Sequence, residues 1–247
     1  MSGKRILILS PHPDDEVVGF AAQILRAKAE GADVFVLHLT TGVPDISVLW
    51  PWDRHGHTAR IAKRQQEAQS VAAYLGFKIA GFLDIPTRCL KENLDQAQRS
   101  IEQIAFDELW TPAYEGGHQD HDVANYLGAK FVSQGPVFEA PLYNFAGGKI
   151  WSQKFITPRD TDMELSLTPR EREAKFYALG IYESEKGNLN YVKCNSEACR
   201  ILEPYDYRYP PHSGKCFYQR FQWVPFSHPR IDFTRPSEVC KFFNNHP

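Results

Sequence analysis

The sequence predicts an α/β protein, a mostly parallel sheet with helices on both faces. Short apolar runs alternate through the first half with segments whose apolar residues recur at helical spacing. Such alternation is the signature of parallel strands joined by crossover helices. The length of 247 residues, with 43% hydrophobic and 23% charged residues, is ample for a core on each side of the sheet.

The elements follow in order. Arg5–Ser10 (RILILS) is a buried strand, and Glu16–Glu30 is a helix whose Val17, Phe20, Ala21, Ile24 and Leu25 share one face. Gly31 ends that helix, and DVFVLHLT, rich in apolar and β-branched residues, is a second buried strand. Thr58–Leu75 repeats the helical pattern and closes at Gly76. A third strand (KIAGFLDI), a helix near Glu92–Gln103, a fourth strand (FDELWTP) and a helix over Asp120–Phe131 come next. A fifth strand lies around PVFEAPLYN. Thr168–Glu171 (TPRE) carries a capping threonine, proline at the first helical position and glutamate at the third, so a helix runs to about Tyr182. Beyond it the chain is dense in proline and aromatics. It reads as an irregular C-terminal segment of short strands and loops wrapping the domain, too aromatic for a disordered tail. The organisation expected is a main domain over 1–189 and an extension over 190–247 packed on the same domain.

Charge and cysteine content narrow the function classes. A net charge of −2 without a basic run argues against nucleic acid or an anionic membrane as partner. The apolar run near the start is too short for a span, so no membrane insertion is expected. Five cysteines without a CxxC pair read as free thiols in a reducing cytoplasm.

The chemistry concentrates at strand ends. SPHPDDE, residues 10–16, places a histidine and three acids at the carboxyl end of the first strand, where ligands bind in open parallel sheets. Adjacent acids repel unless a cation sits among them. His12 and Asp15 are separated by two residues, with Pro13 stiffening the turn, and can reach one metal. A catalytic zinc site takes three protein ligands and leaves a position open. The third is sought in YEGGHQDHD, which follows the fourth strand and offers His118 and His121 with Asp120 between them. A lone loop histidine is usually an ordinary residue, and a lone DDE is usually a helix start whose acids meet the helix dipole. Two such clusters at the ends of two strands of one sheet favour a shared ion. His38, His212, His228 and His246 have no such partner in the sequence.

These motifs resemble the PIG-L/LmbE-like zinc N-deacetylases, a family with a Rossmann-like fold that removes acetyl groups from N-acetylated sugars such as N-acetylglucosamine and related amides. The resemblance rests on PHPDDE, on Thr41–Gly42 after the second strand, on Arg64–Ala68 (RQQEA), on Gly117–His121 (GHQDH) and on Lys175–Ser184 (KFYALGIYES). It implies one zinc ion per chain, or another divalent metal, held by His12, Asp15 and His121. It further implies Asp14 as the general base that activates water and His118 as the stabiliser of the oxyanion and donor to the leaving amine. Asp120 is then a partner that orients one of the histidines, and Glu16 reads as helix-start charge. The chain departs from the family pattern at Gly19, where a glycine pair is common, at Thr41, where aspartate or asparagine is common, and at Gly116, where some relatives carry a tyrosine.

The expectation is therefore a cytoplasmic zinc hydrolase cleaving the N-acetyl amide of a small polar, sugar-like molecule, with homo-oligomerisation left open. An amidase of a larger thiol- or lipid-linked conjugate is the alternative. A non-catalytic sugar-binding relative is the rival, and the presence of Asp14 and His118 argues against it. A dinucleotide site is weaker still, because the first turn is acidic and lacks the glycine fingerprint. The loop VPDISVLWPWDRHGH between the second strand and the next helix leaves the same sheet edge. Trp50, Trp52 and Arg54 in it, with Arg64 downstream, are the expected substrate contacts, since aromatic faces stack on sugars and arginine donates to hydroxyls or acids.

Overall fold

Alternation along Arg5–Ser10 builds two cores at once. Ile6 and Ile8 point into one apolar cluster, Leu7 and Leu9 into the other. The computed structural model describes residues 3–224, 226, 228–229 and 231–246. Its first half runs β1 (Arg5–Ser10), α1 (Asp15–Ala29), β2 (Asp33–His38), α2 (His57–Leu75), β3 (Lys78–Phe82), α3 (Leu94–Glu102), β4 (Glu108–Pro112) and α4 (Gln119–Ala129). The second half adds β5 (Val137–Ala140), β6 (Tyr143–Asn144), β7 (Trp151–Ser152), β8 (Met163–Ser166), α5 (Pro169–Ile181), β9 (Ser196–Ile201) and α6 (Pro236–Asn244).

The main sheet has the order β3-β2-β1-β4-β5-β9-β8. Its first five strands pair in parallel, and β9 and β8 are antiparallel. Residues of α1, α2 and α5 fill the cluster on one face, and residues of α3, α4 and α6 fill the other. The expected α/β class and strand direction are what the chain adopts. The order reverses between β1 and β4, so the crevice beyond their carboxyl ends is the place where such sheets bind ligands.

Two regions differ from the reading of the sequence. The fifth strand stops at Ala140 because Pro141 has no N–H to continue the ladder, and the chain resumes as the β6–β7 hairpin. The segment after residue 190 is more regular than its composition suggests. β9 lies inside the main sheet between β5 and β8, and α6 packs on α4. That helix opens with Pro236 at its first position and Glu238 accepting from the Arg235 N–H, much as α5 opens at Thr168.

A buried ion pair ties the late elements to α1. Lys175 of α5 and Glu197 of β9 are 2.9 Å apart and fully buried. Glu197 also accepts from the backbone N–H groups of Ala22 and Gln23, and Lys175 donates to the Val18 carbonyl at 2.8 Å. The pair thus contacts the Val18 carbonyl and the Ala22 N–H, which lie one turn apart on α1. Removing one partner strands a charge in the core, so Lys175→Met should lower unfolding free energy by ~3–5 kcal/mol in urea titrations. The double variant Lys175→Met/Glu197→Gln should recover part of that loss. A Lys175→Met protein as stable as the parent would show that the pair contributes nothing.

Candidate metal centre and active-site cleft

The turn from β1 into α1 is under strain. Asp14 holds φ at 134°, a region that residues with a Cβ rarely enter. Glu16 enforces it, accepting from the Asp14 N–H at 3.1 Å and from the Ser10 hydroxyl at 3.0 Å, and receiving the Tyr182 hydroxyl. Glu16 is thus more than helix-start charge: fully buried, it clamps the strand, the turn and the end of α5 together. Burial pushes its carboxyl upward, against the Tyr182 bond that stabilises the charge.

That turn brings His12 and Asp15 to the crevice, and the β4–α4 turn brings His121 to meet them. His12 Nδ1 lies 3.1 Å from Asp15 Oδ2, His121 Nε2 lies 3.2 Å from the same oxygen, and the two nitrogens are 3.3 Å apart. Three corners of a tetrahedron with bonds of ~2.0 Å to a central ion stand roughly 3.3 Å apart, so the set fits a divalent cation. The tautomers agree. Asp120 Oδ2 receives His12 Nε2–H at 3.1 Å, which leaves the Nδ1 lone pair directed at the cluster. Asp120 is itself fixed by the Arg88 N–H at 2.7 Å, the Thr87 hydroxyl at 3.0 Å and the Leu90 N–H at 3.3 Å. A second grouping, His12 with His118 and Asp120, also lies within ligand reach. It suits a cation less well, because backbone donors already occupy Asp120 and His118 Nδ1.

The electrostatics call for positive charge. Burial opposes a charge on His12, yet Asp15 and Asp120 outweigh it and lift its pKa to about 10. Burial likewise opposes ionisation of Asp15, but His121 and His12 hold it well below the carboxylate range. A bound divalent ion would take the place of the proton that this acidic shell retains. Beside the cluster, burial raises Asp14 to about 7 against the pull of Arg64, which reaches its Oδ2 at 3.3 Å. Arg64 is buried and also pairs with Glu185 at 2.9 Å. Gly42 makes room for it: at φ 69°, a Cβ there would stand 2.7 Å from the guanidinium. His118 caps α4, its Nδ1 accepting from the Asp120 N–H at 3.1 Å, so its proton sits on Nε2. Burial, then the neighbouring His12, holds its pKa well below the usual value, and the ring is neutral.

The cluster opens into a cleft of about 800 Å³ lined by His12, Asp14, Asp15, Arg64 and His118. The loop expected to cover it is placed differently. Trp50 and Trp52 stack on each other at 5.3 Å, Trp50 meets His228 edge-on, and Trp52 is 65% exposed. Arg54 donates to the carbonyls of Leu49 and Ser47, bracing its own loop. That loop lends the cleft Leu49 and Asp53 instead. The aromatic wall comes from Tyr143, which the sequence places at the end of the fifth strand, and from Tyr191, Phe217 and Phe221, which it leaves in the wrapping segment. His38, set aside as a strand residue, stacks on Phe82, and burial drops its pKa to about 3.

A parallel sheet with a histidine–aspartate cluster of metal-ligand geometry at its switch point defines a class of α/β proteins with a cation-ready cleft. Within it the chain belongs to the PIG-L family, GlcNAc-PI de-N-acetylase, whose model matches residues 7–132. A curated relative is the diacetylchitobiose deacetylase of Thermococcus kodakarensis (strain ATCC BAA-918 / JCM 12380 / KOD1), 31% identical over 138 residues. The match covers 53% of this chain and 49% of the relative, so the chain spans about half the length of the curated protein it matches. Among solved structures, a deacetylase of the teicoplanin biosynthesis pathway aligns with TM-score 0.61 at 18% identity, over 82% of this chain and 99% of that one. The 4-carboxy-2-hydroxymuconate hydratase from Pseudomonas putida KT2440 aligns with TM-score 0.55 at 15% identity, over 82% and 97%. These likenesses establish the fold, and one fold here serves two reactions.

If His12, Asp15 and His121 are the ligands, elemental analysis of the parent should find roughly one equivalent of divalent metal, and His12→Ala, Asp15→Ala and His121→Ala should each lose most of it. Asp120→Asn should keep the site but weaken metal affinity ~10- to 100-fold, because His12 loses its orienting acceptor. Parent-like metal content in all three alanine variants would refute the assignment.

Proposed function

We propose that this chain is a divalent-metal-dependent hydrolase that removes the N-acetyl group of a small, sugar-like amide, releasing acetate and a free amine. One observation carries the reading: His12 Nδ1, Asp15 Oδ2 and His121 Nε2 converge within 3.3 Å of one another, with Asp14 and His118 lining the same cleft. Family membership and the deacetylase relative support amide hydrolysis over hydration. The cleft is of a size that suits a sugar derivative.

His12, Asp15 and His121 would hold the ion, and imidazole with carboxylate suits zinc, with iron or cobalt able to use the same set. When bound, the ion supplies a Lewis acid that acidifies water and polarises the acyl carbonyl. Asp14 accepts the proton of the attacking water, and Arg64 holds its carboxylate in place. His118, neutral with its proton on Nε2, donates a hydrogen bond to the carbonyl oxygen as negative charge develops there. The proton that Asp14 takes is the one that the departing nitrogen needs, and His118 is the second group able to supply it.

An acetate-release assay over a panel of N-acetylated sugars, run with metal-loaded and chelator-treated protein, tests the reaction. Release should occur with at least one sugar and vanish on chelation; release that survives complete metal removal would sink the metal-dependent reading. Asp14→Asn should retain the metal yet lose ~100- to 10,000-fold in turnover, since an amide cannot take the proton. His118→Ala should likewise keep the metal and lose turnover. A metal-replete Asp14→Asn protein turning over normally would remove Asp14 from the mechanism.

A further inference from the structure

Five basic side chains line the cleft, Arg60, Lys63, Arg64, Arg88 and Arg220. Four have partners within the protein. Arg60 donates to the Asp53 carbonyl, Lys63 pairs with Glu67 and Glu183, Arg64 with Asp14 and Glu185, and Arg88 donates to the carbonyls of Pro229 and Ile231. Arg220 differs. Its Nε is shielded from solvent without a hydrogen-bond partner, and among the described residues no carboxylate pairs with it.

Aromatic faces hold it instead. Its guanidinium lies 3.7 Å from the ring centre of Phe217, 5.0 Å from that of Phe221 and 5.8 Å from that of Phe145. Cation–π contact engages the flat face of a guanidinium and leaves its in-plane N–H groups available. A half-buried cation with unused donors is costly to leave unpaired. Phe217 is anchored beside the His118 turn, its N–H bonded to the Gly116 carbonyl at 2.8 Å. It also has a defined place relative to the chemistry. Ring contacts run from His121 to Tyr143 at 5.3 Å and from Tyr143 to Phe217 at 4.6 Å, and Arg220 packs on Phe217 at 3.7 Å, two rings removed from His121. Tyr143 and Tyr191, in edge-on ring contact at 5.0 Å, line the same cleft. The reacting amide belongs at the His121 end, so whatever meets Arg220 is a different part of the same molecule.

We propose that Arg220 recognises an acidic group, carboxylate or phosphate, that the substrate carries away from its N-acetyl amide. The aromatic wall of Tyr143, Tyr191 and Phe217 takes the apolar face of the sugar between the two ends. The inference rests on the deacetylase reading for where the amide sits. It adds a substrate class: acidic N-acetylated amino sugars.

Calorimetric titration of the metal-loaded protein with deacetylated products tests it without turnover. The probes are glucosamine, glucosamine 6-phosphate and muramic acid. At least one acidic probe should bind on the order of tenfold tighter than glucosamine, and which one does separates phosphate from carboxylate. Arg220→Gln should abolish that advantage while its circular dichroism and thermal midpoint stay near the parent's. Arg220→Lys, which keeps charge but loses the planar fork, should retain only part of it. Should neither acidic probe exceed glucosamine, or should Arg220→Gln keep the preference, the proposal falls. Acetate release from the N-acetyl counterparts distinguishes the two readings. Acid-selective binding with no release leaves the subsite standing and overturns the deacetylase; release indifferent to the acidic group does the reverse.

Discussion

Three electron-rich atoms, His12 Nδ1, Asp15 Oδ2 and His121 Nε2, are held within 3.3 Å of one another, and the architecture around them exists to keep them there. Two lone pairs and a carboxylate do not approach so closely in the absence of positive charge. The surrounding bonds leave His12 and Asp15 little freedom to withdraw. Asp120 fixes the His12 imidazole from behind, and the first turn of α4 carries His121. Glu16, Ser10 and Tyr182 lock the turn that bears Asp15. The unfavourable φ of Asp14 is the visible cost of that lock, of order 1–3 kcal/mol.

The constraint reaches far into the fold. Tyr182 ends α5, and α5 is bound to β9 and α1 by the buried Lys175–Glu197 pair. The late strands therefore brace the helix that leaves the β1 turn. Arg64, on α2, links Asp14 to Glu185 just beyond α5. Elements distant in sequence thus converge on one short turn, consistent with the rule that sites need rigid support behind the groups that act.

The same scaffold carries a hydratase among its structural neighbours, so the sheet alone does not choose a reaction. The β1, β3 and β4 turns provide the cation-ready cluster with Asp120 behind it. The segment from β6 onward provides the aromatic wall and Arg220. The family match ends at residue 132, before any of that wall.

Periodicity alone determined the five parallel strands and their crossover helices, because a strand buried on both faces and a one-faced helix leave unmistakable apolar patterns. The motif residues at the ends of two strands determined the candidate cluster, since parallel topology forces successive strand ends to the same edge. Tertiary structure decided the rest. Nothing local marks Glu16 as a buried clamp rather than a helix-start acid; its partners Ser10 and Tyr182 become neighbours only when α5 docks. Trp50 and Trp52 had the composition of a sugar platform, yet they satisfy each other, while Tyr143, Tyr191 and Phe217 form the wall. β9 was hidden because SEACRI carries two charges in six residues with no regular apolar alternation, and its burial depends on Lys175 neutralising Glu197 and Glu139 neutralising Arg200. Charges that meet only across the fold cannot be paired from the sequence, and those pairs are what the folded chain alone supplies.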